Sequence, residues 1–326
     1  MTAPLYTTVV VDLLSQMDAM TRSFLVENYQ ALASYMAAPI AAASTLYLVI
    51  NGYLVLMGKV SISSKAFFKM AATIGLVSMF ALNWLYFSNV FVALFQTAAS
   101  EISSIGVNYH LFQFPLLSHT GTGINDALQT VLIESVEVGI NAMMHGGYTN
   151  WMPLLIGLNF MGGGTFIVAI AMIETSMIKF FISLLLSTGP LFIGLAIFDE
   201  TKPAFKVWVS LLSGFAFALI FSGFAIGMSM HWMHWVVGAL HSTDKLELKL
   251  FTIVPLFIVE VLAVVVLFGV IPLAKQIGGA AAGGSHTGDA LAGHQGVSKA
   301  VHKGMSGAKQ GLKKAYGHVL GNGGKQ

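Results

Sequence analysis

Five stretches of this chain run for about 20 residues or more with almost no charge: 36–58, 70–96, 151–198, 207–230 and 251–273. A helix needs roughly 20 apolar residues to cross a hydrocarbon layer about 30 Å thick. Inside that layer each backbone amide must be satisfied by protein, which leaves only helices and closed barrels. Runs this long and this continuously apolar point to helices, so the expected fold is all-α, a polytopic transmembrane protein. Composition agrees: 56% of residues are hydrophobic and 9% charged, against about 25% charged in an average soluble domain. The N-terminal stretch MTAPLYTTVVVDLLSQMDAM lacks the basic region and clean apolar run of a cleavable signal peptide. With no cysteine in the chain, disulfides, iron–sulfur clusters and thiolate zinc sites are excluded.

Charge asymmetry sets an orientation. The connection 59–69 carries Lys59, Lys65 and Lys69 with no acid, and the stretch after 273 carries seven lysines against Asp289. Segment 97–150 holds Glu101, Asp126, Glu134 and Glu137 without a lysine or arginine, and residues 1–35 carry three acids and only Arg22. Lysine-rich connections stay in the cytoplasm, so 59–69 and the tail are expected inside, with 1–35 and 97–150 outside. An external N-terminus and a cytoplasmic C-terminus require an odd number of crossings. Region 151–198 then supplies one crossing, the total is about five, and Asp199-Glu200-Thr201-Lys202-Pro203 falls on the cytoplasmic side.

The expected organisation follows. Residues 1–35 form a periplasmic amphipathic arm and 36–96 hold the first two spans with the basic loop. Segment 97–150 is periplasmic, with an amphipathic helix over 121–144 whose polar face includes Asp126, Gln129 and Glu137. Residues 151–273 hold the remaining spans, with a cytoplasmic hairpin at 199–206, and 274–326 form a basic, glycine-rich cytoplasmic tail. In that tail, apolar residues from Val297 to Val319 recur at helical spacing between lysines, a pattern weakened by glycines. The triplet Gly162-Gly163-Gly164 either lets helices approach closely or breaks one, and a break would help 151–198 make a single crossing.

Candidate chemistry is sparse. Glu174, Lys179 and Glu260 are ionisable residues within apolar stretches, where a charge costs on the order of 2.5–3.5 kcal/mol. They are the candidate polar lining, or else packing partners for another helix. Together they would also suit a secondary transporter of a small solute, the alternative function. His231, His234 and His241 lie among Trp232 and Trp235, which reads as an interfacial girdle rather than a metal site. No phosphate-binding loop, zinc-protease motif or nucleophile elbow is present. No catalytic, cofactor-binding or metal site is expected, and the chain does not read as an enzyme.

The stretch STGPLFIGLAIFDETKPAFKVW, 187–208, carries a family pattern. A lysine in an apolar helix (Lys179) precedes Gly189-Pro190-Leu191-Phe192-Ile193. Phe198, a short polar break, and Phe205 with Trp208 follow. This order resembles the TrbL / VirB-six family, polytopic inner-membrane components of bacterial type IV secretion, or conjugation, systems. Family members often have arginine in the polar break, where this chain has Lys202. The resemblance implies a non-enzymatic structural or conduit role in moving DNA or protein and in pilus assembly. It also implies a ring-like homo-oligomer, pentameric by expectation, in contact with the minor pilin at the pilus tip, the major pilin, other inner-membrane subunits and separate ATPases. Pro190 is expected to kink an apolar helix, and Trp208 to sit at the membrane surface as an anchor.

Overall fold

The structure, a computed structural model, describes residues 8–58, 64–108, 123–144, 146, 151–241 and 250–281. The basic tail beyond 281 and parts of the loops at 59–69, 97–150 and 231–250 lie outside the described residues. Among those described there is no strand. Helix α1 (Val9–Leu56) leads to α2 (Ser64–Leu82). A short α3 (Trp84–Phe87) then runs through a π-helical stretch (Ser88–Ala98) into α4 (Ala99–Asn108). After these come α5 (Ile124–Met144), α6 (Met152–Ser187), α7 (Gly189–Gly194), α8 (Lys202–His241) and α9 (Leu250–Ala281).

Among the described residues, five helical segments are long and apolar enough to cross a membrane: Val9–Leu56, Trp84–Val107, Met152–Ser187, Lys202–Trp232 and Val254–Ala274. Their number agrees with the sequence expectation, but two of them differ in extent. The arm 1–35 and the span 36–58 are one helix from Val9 onward, 48 residues long, or about 72 Å at 1.5 Å per residue. Pro39 lies near their join, yet the helix continues through it, and α1 ends only at Gly58, in the left-handed conformation at φ 68°, where glycine terminates helices cheaply. The run 70–96 is divided at Asn83, whose extended backbone ends α2 and whose Oδ1 accepts from the Leu85 N–H at 3.0 Å to cap α3. The second span is therefore shifted to 84–107.

Region 151–198 supplies one candidate span, Met152–Ser187, but not by a break at the glycine triplet. Helix α6 runs unbroken through Gly162–Gly164, because opening the ladder would leave amides unsatisfied in an apolar setting. Gly163 is instead a close-approach point: a Cβ there would meet the Glu260 carboxyl group from α9. Two other pairs of helices meet on glycines. On α5 and α6, a Cβ at Gly139 would lie 2.8 Å from the Gly157 carbonyl oxygen. On α4 and α8, Gly227 packs against the Gly106 backbone and Gly223 against Ser103. Small residues give helices in an apolar solvent the close contact that drives their association.

The N-terminal half of α1 lies along α5 and α6 rather than standing apart from them. The Val10 N–H donates to Gln129 Oε1 at 2.8 Å, which satisfies an amide near the open start of the helix. Gln129 was expected on the polar face of the amphipathic helix, yet it is 6% exposed; its amide oxygen is taken up by this bond. The basic connection and the polar break meet at one end of the molecule, where Lys69 is close enough to act on the Asp199 carboxylate.

Candidate functional site

The site begins where α6 stops. Pro190 has no N–H, so the α6 ladder cannot continue past it. Pro190 does not kink the interior of a helix: α6 ends at Ser187, and Pro190 sits in the first turn of α7, where its missing donor costs nothing. Such a stop leaves the last carbonyls of α6 without partners in a buried setting. The Leu184 carbonyl accepts from Ser187 Oγ at 2.8 Å and from the Thr188 N–H at 3.3 Å. The Leu185 carbonyl accepts from Thr188 Oγ1 at 2.8 Å and from the indole Nε1–H of Trp208, also at 2.8 Å.

Trp208 is thus no surface anchor. It is 1% exposed, and its hydrogen bond is to a helix end rather than to a lipid headgroup or water. Its ring stacks on Phe192 at 5.9 Å and 11° and meets Phe205 at 5.7 Å and Phe91 at 5.6 Å. From Phe91 the aromatic contacts continue to Phe87 at 5.1 Å and on to Tyr29 at 4.4 Å. The Tyr29 hydroxyl donates to the Phe80 carbonyl at 2.6 Å, satisfying its polar tip. Gly189 faces the Phe87 ring so closely that a Cβ would lie 2.7 Å from it. Phe198 meets the edge of Tyr47 at 5.9 Å.

The polar break closes the turn. Thr201 Oγ1 donates to the carbonyls of Phe198, at 3.2 Å, and of Leu195. Lys202 pairs with Asp199. The hydrogen bond and charge of Lys202 hold the Asp199 carboxyl below its ordinary range. Six of the residues singled out by sequence (Gly189, Pro190, Phe192, Phe198, Phe205 and Trp208) therefore lie in one connected junction. It ties α6, α7 and α8 to α1, α2 and the second span.

Lys179 is not part of it. Its ammonium pairs with Asp18 of α1 at 2.7 Å and 2.9 Å, with the lysine side chain 14% and the aspartate 40% exposed. The pair borders a groove of about 500 Å³ between α1 and α6, lined by Leu13, Met17, Ile173, Met177 and Phe180. Glu260 is 7% exposed and receives Asn159 Nδ2 at a long 3.4 Å. Glu174 is 6% exposed. One carboxylate oxygen of each is buried without a hydrogen bond. Glu174, Lys179 and Glu260 share no hydrogen bond or ion pair with one another, so they do not form a single lining site. Among the described residues no group of His, Asp and Glu is placed to hold a metal ion. His231 is half-buried, and the side chains of His234 and His241 lie outside those described.

Sequence reasoning missed Asp18, Tyr29, Phe87 and Phe91. Phe87, Phe91 and Phe95 recur every fourth residue, a signal that was available. It does not distinguish a face on lipid from a face on protein, because both environments are apolar. Asp18 could have been sought as a partner, since a lysine buried in an apolar helix needs one.

The family model described as TrbL/VirB6 plasmid conjugal transfer protein matches residues 44–271. The match starts in the second half of α1, ends within α9 and contains the whole 187–208 junction. A comparison with curated protein sequences returned no match. With the match covering well over half of a multi-pass membrane chain, this protein belongs to the TrbL/VirB6 family, structural components of the conjugal-transfer, or type IV secretion, complex rather than known enzymes.

Proposed function

We propose that this chain is a conduit subunit of the inner-membrane complex, required both for pilus assembly and for passage of DNA or protein. One observation carries the reading: the residues that resemble the family pattern close into a buried aromatic junction that joins the early and late helices. Such a junction supplies rigidity and no chemistry. A rigid multi-helix subunit with no candidate catalytic group among the described residues suits a static assembly part whose energy comes from separate ATPases.

In this reading the end bearing Lys69 and Asp199 is cytoplasmic and offers a compact turn to neighbouring subunits or ATPases. The opposite end, with the start of α1 held on α5, faces the periplasm and meets the pilin subunits. The absence of lysine and arginine from 97–150 disfavours electrostatic capture of DNA there. A ring of copies, pentameric by family resemblance, would surround the path.

The test is a clean deletion in the native host, complemented by wild type or by Trp208→Ala, scored for substrate transfer and surface pili. Loss of both on deletion, restored by wild type and not by Trp208→Ala, supports the reading. Undiminished transfer and pili in the deletion strain would sink it.

A further inference from the structure

Hydrocarbon offers no hydrogen bond, so a polar side chain facing lipid does best by bonding its own helix backbone. The outward faces of most of the spans follow this rule. Every exposed residue of α9 from 254 to 274 is apolar, proline or glycine. On α6, Thr165 is the one exposed polar residue, and its hydroxyl donates to the Met161 carbonyl at 2.7 Å. In the apolar second half of α1, Thr45 donates to Ala41 at 2.9 Å and the half-buried Asn51 to Tyr47 at 2.8 Å, whereas the exposed Gln16, Arg22, Ser23, Glu27 and Gln30 lie in its polar first half.

The second span breaks the rule. Asn89 and Thr97 are exposed and Gln96, at the middle of Trp84–Val107, is half-exposed. Among the described residues, none of the three side chains has a hydrogen-bond partner. Glu101, one turn further on, is exposed and has no ion pair among the described residues. Through Ser88–Ala98 the turns are π-helical, and Thr97 does not take the i−4 carbonyl that Thr45 and Thr165 take. π-Helical turns are rare and frequently found at functional sites. The buried side of the same stretch is held by Phe87, Phe91 and Phe95, so the polar side is turned outward by the aromatic junction. Three unsatisfied amide and hydroxyl groups facing lipid, with a carboxylate beyond them, would be costly.

We propose that this side of the second span borders water within the membrane, with Asn89, Gln96, Thr97 and Glu101 lining an aqueous passage closed by further copies of this chain. The inference rests on the conduit reading and adds the lining to it. A stripe on the outside of one chain encloses nothing by itself; repeating the same surface around a rotation axis does.

The cysteine-free chain makes the test direct. Single variants Asn89→Cys and Thr97→Cys, with Val265→Cys and Phe268→Cys on α9 as lipid-facing controls, are expressed in the deletion host. Spheroplasts are treated with a charged, membrane-impermeant methanethiosulfonate. Labelling at Thr97→Cys and Asn89→Cys is expected to be at least roughly tenfold faster than at the controls, because the reactive thiolate forms only where water solvates it. Equally slow labelling at all four positions overturns the lining, whatever the strain's transfer phenotype. Should Thr97→Cys fail to accumulate, Asn89→Cys and Gln96→Cys carry the same comparison. Fast labelling in a host whose deletion leaves transfer intact would keep the water-facing stripe and remove the secretion reading, so the two fail separately.

Discussion

Two places on α6, its last carbonyls and its contact with α9, treat buried polar groups in opposite ways, although Glu174, Thr175 and Ser183 between them also keep a buried oxygen without a partner. At the C-terminal end, the Leu184 and Leu185 carbonyls are bonded by Ser187, Thr188 and Trp208. In the N-terminal half, Asn159 meets Glu260 through one long contact, and one oxygen of each is left buried without a partner. Closure of every polar group over-determines a geometry; incomplete closure leaves a contact that specifies less and costs less to alter. The C-terminal junction is therefore the fixed part of the molecule, and the α6–α9 contact is the adjustable one.

Trp208→Ala breaks that comparison most severely. It removes a fully buried ring and one partner of the Leu185 carbonyl, and a loss of about 3–5 kcal/mol is expected. Trp208→Phe keeps most of the ring and loses the bond, for about 1 kcal/mol. Denaturant unfolding in detergent micelles reads both; equal losses would show that the hydrogen bond, and not the packing, holds the junction.

The Asp18–Lys179 pair is next. It lies between the surface and buried cases, so Asp18→Asn alone is expected to cost about 1–2 kcal/mol. Asp18→Asn combined with Lys179→Met is expected to cost less than Asp18→Asn alone, because no unpaired ammonium remains. Additive losses in that cycle would mean the two charges are uncoupled.

Glu134 on α5 gives a pH dependence. Burial, helped by the nearby Glu137 charge, pushes its carboxyl from 4.5 up to about 8. An acid whose folded pKa is raised binds its proton more tightly in the folded chain. Its contribution is full below about 4.5 and is lost as pH rises to about 8. Glu134→Gln should flatten that part of the stability profile and raise the unfolding midpoint at pH 8 relative to wild type. A variant profile parallel to the wild type across this window would show that Glu134 ionises as freely in the folded chain as in the unfolded one.

The smallest effect is expected at Glu260→Gln. It keeps the volume against Gly163 and Asn159, so a change within about 0.5–1 kcal/mol is expected, with transfer unaltered. Abolished transfer with normal accumulation would promote the carboxylate from packing element to functional group.

Much of the plan of the molecule could be read from its residues. Apolar length decided that the chain is helical and how many helices are able to span, because no other structure satisfies a backbone in hydrocarbon. Lys69 and the polar break at 199–203, both expected on the cytoplasmic side, lie at the same end of the bundle, since the Lys69 charge reaches Asp199. The Gly-Pro pair was legible as a discontinuity, because proline lacks the donor a helix needs.

Sidedness within the bundle was not legible. Trp208 reads as an anchor by composition and is a core residue by contact. Gln129 reads as part of a polar face and is buried against the start of α1. Gly162–Gly164 reads as either a close-approach point or a break, and only the first holds, at Gly163 against Glu260 of α9. Hydropathy measures transfer out of water, and lipid tails and a protein interior are alike on that scale. Which face of an apolar helix meets protein, which meets lipid and which meets water is decided only when the helices pack.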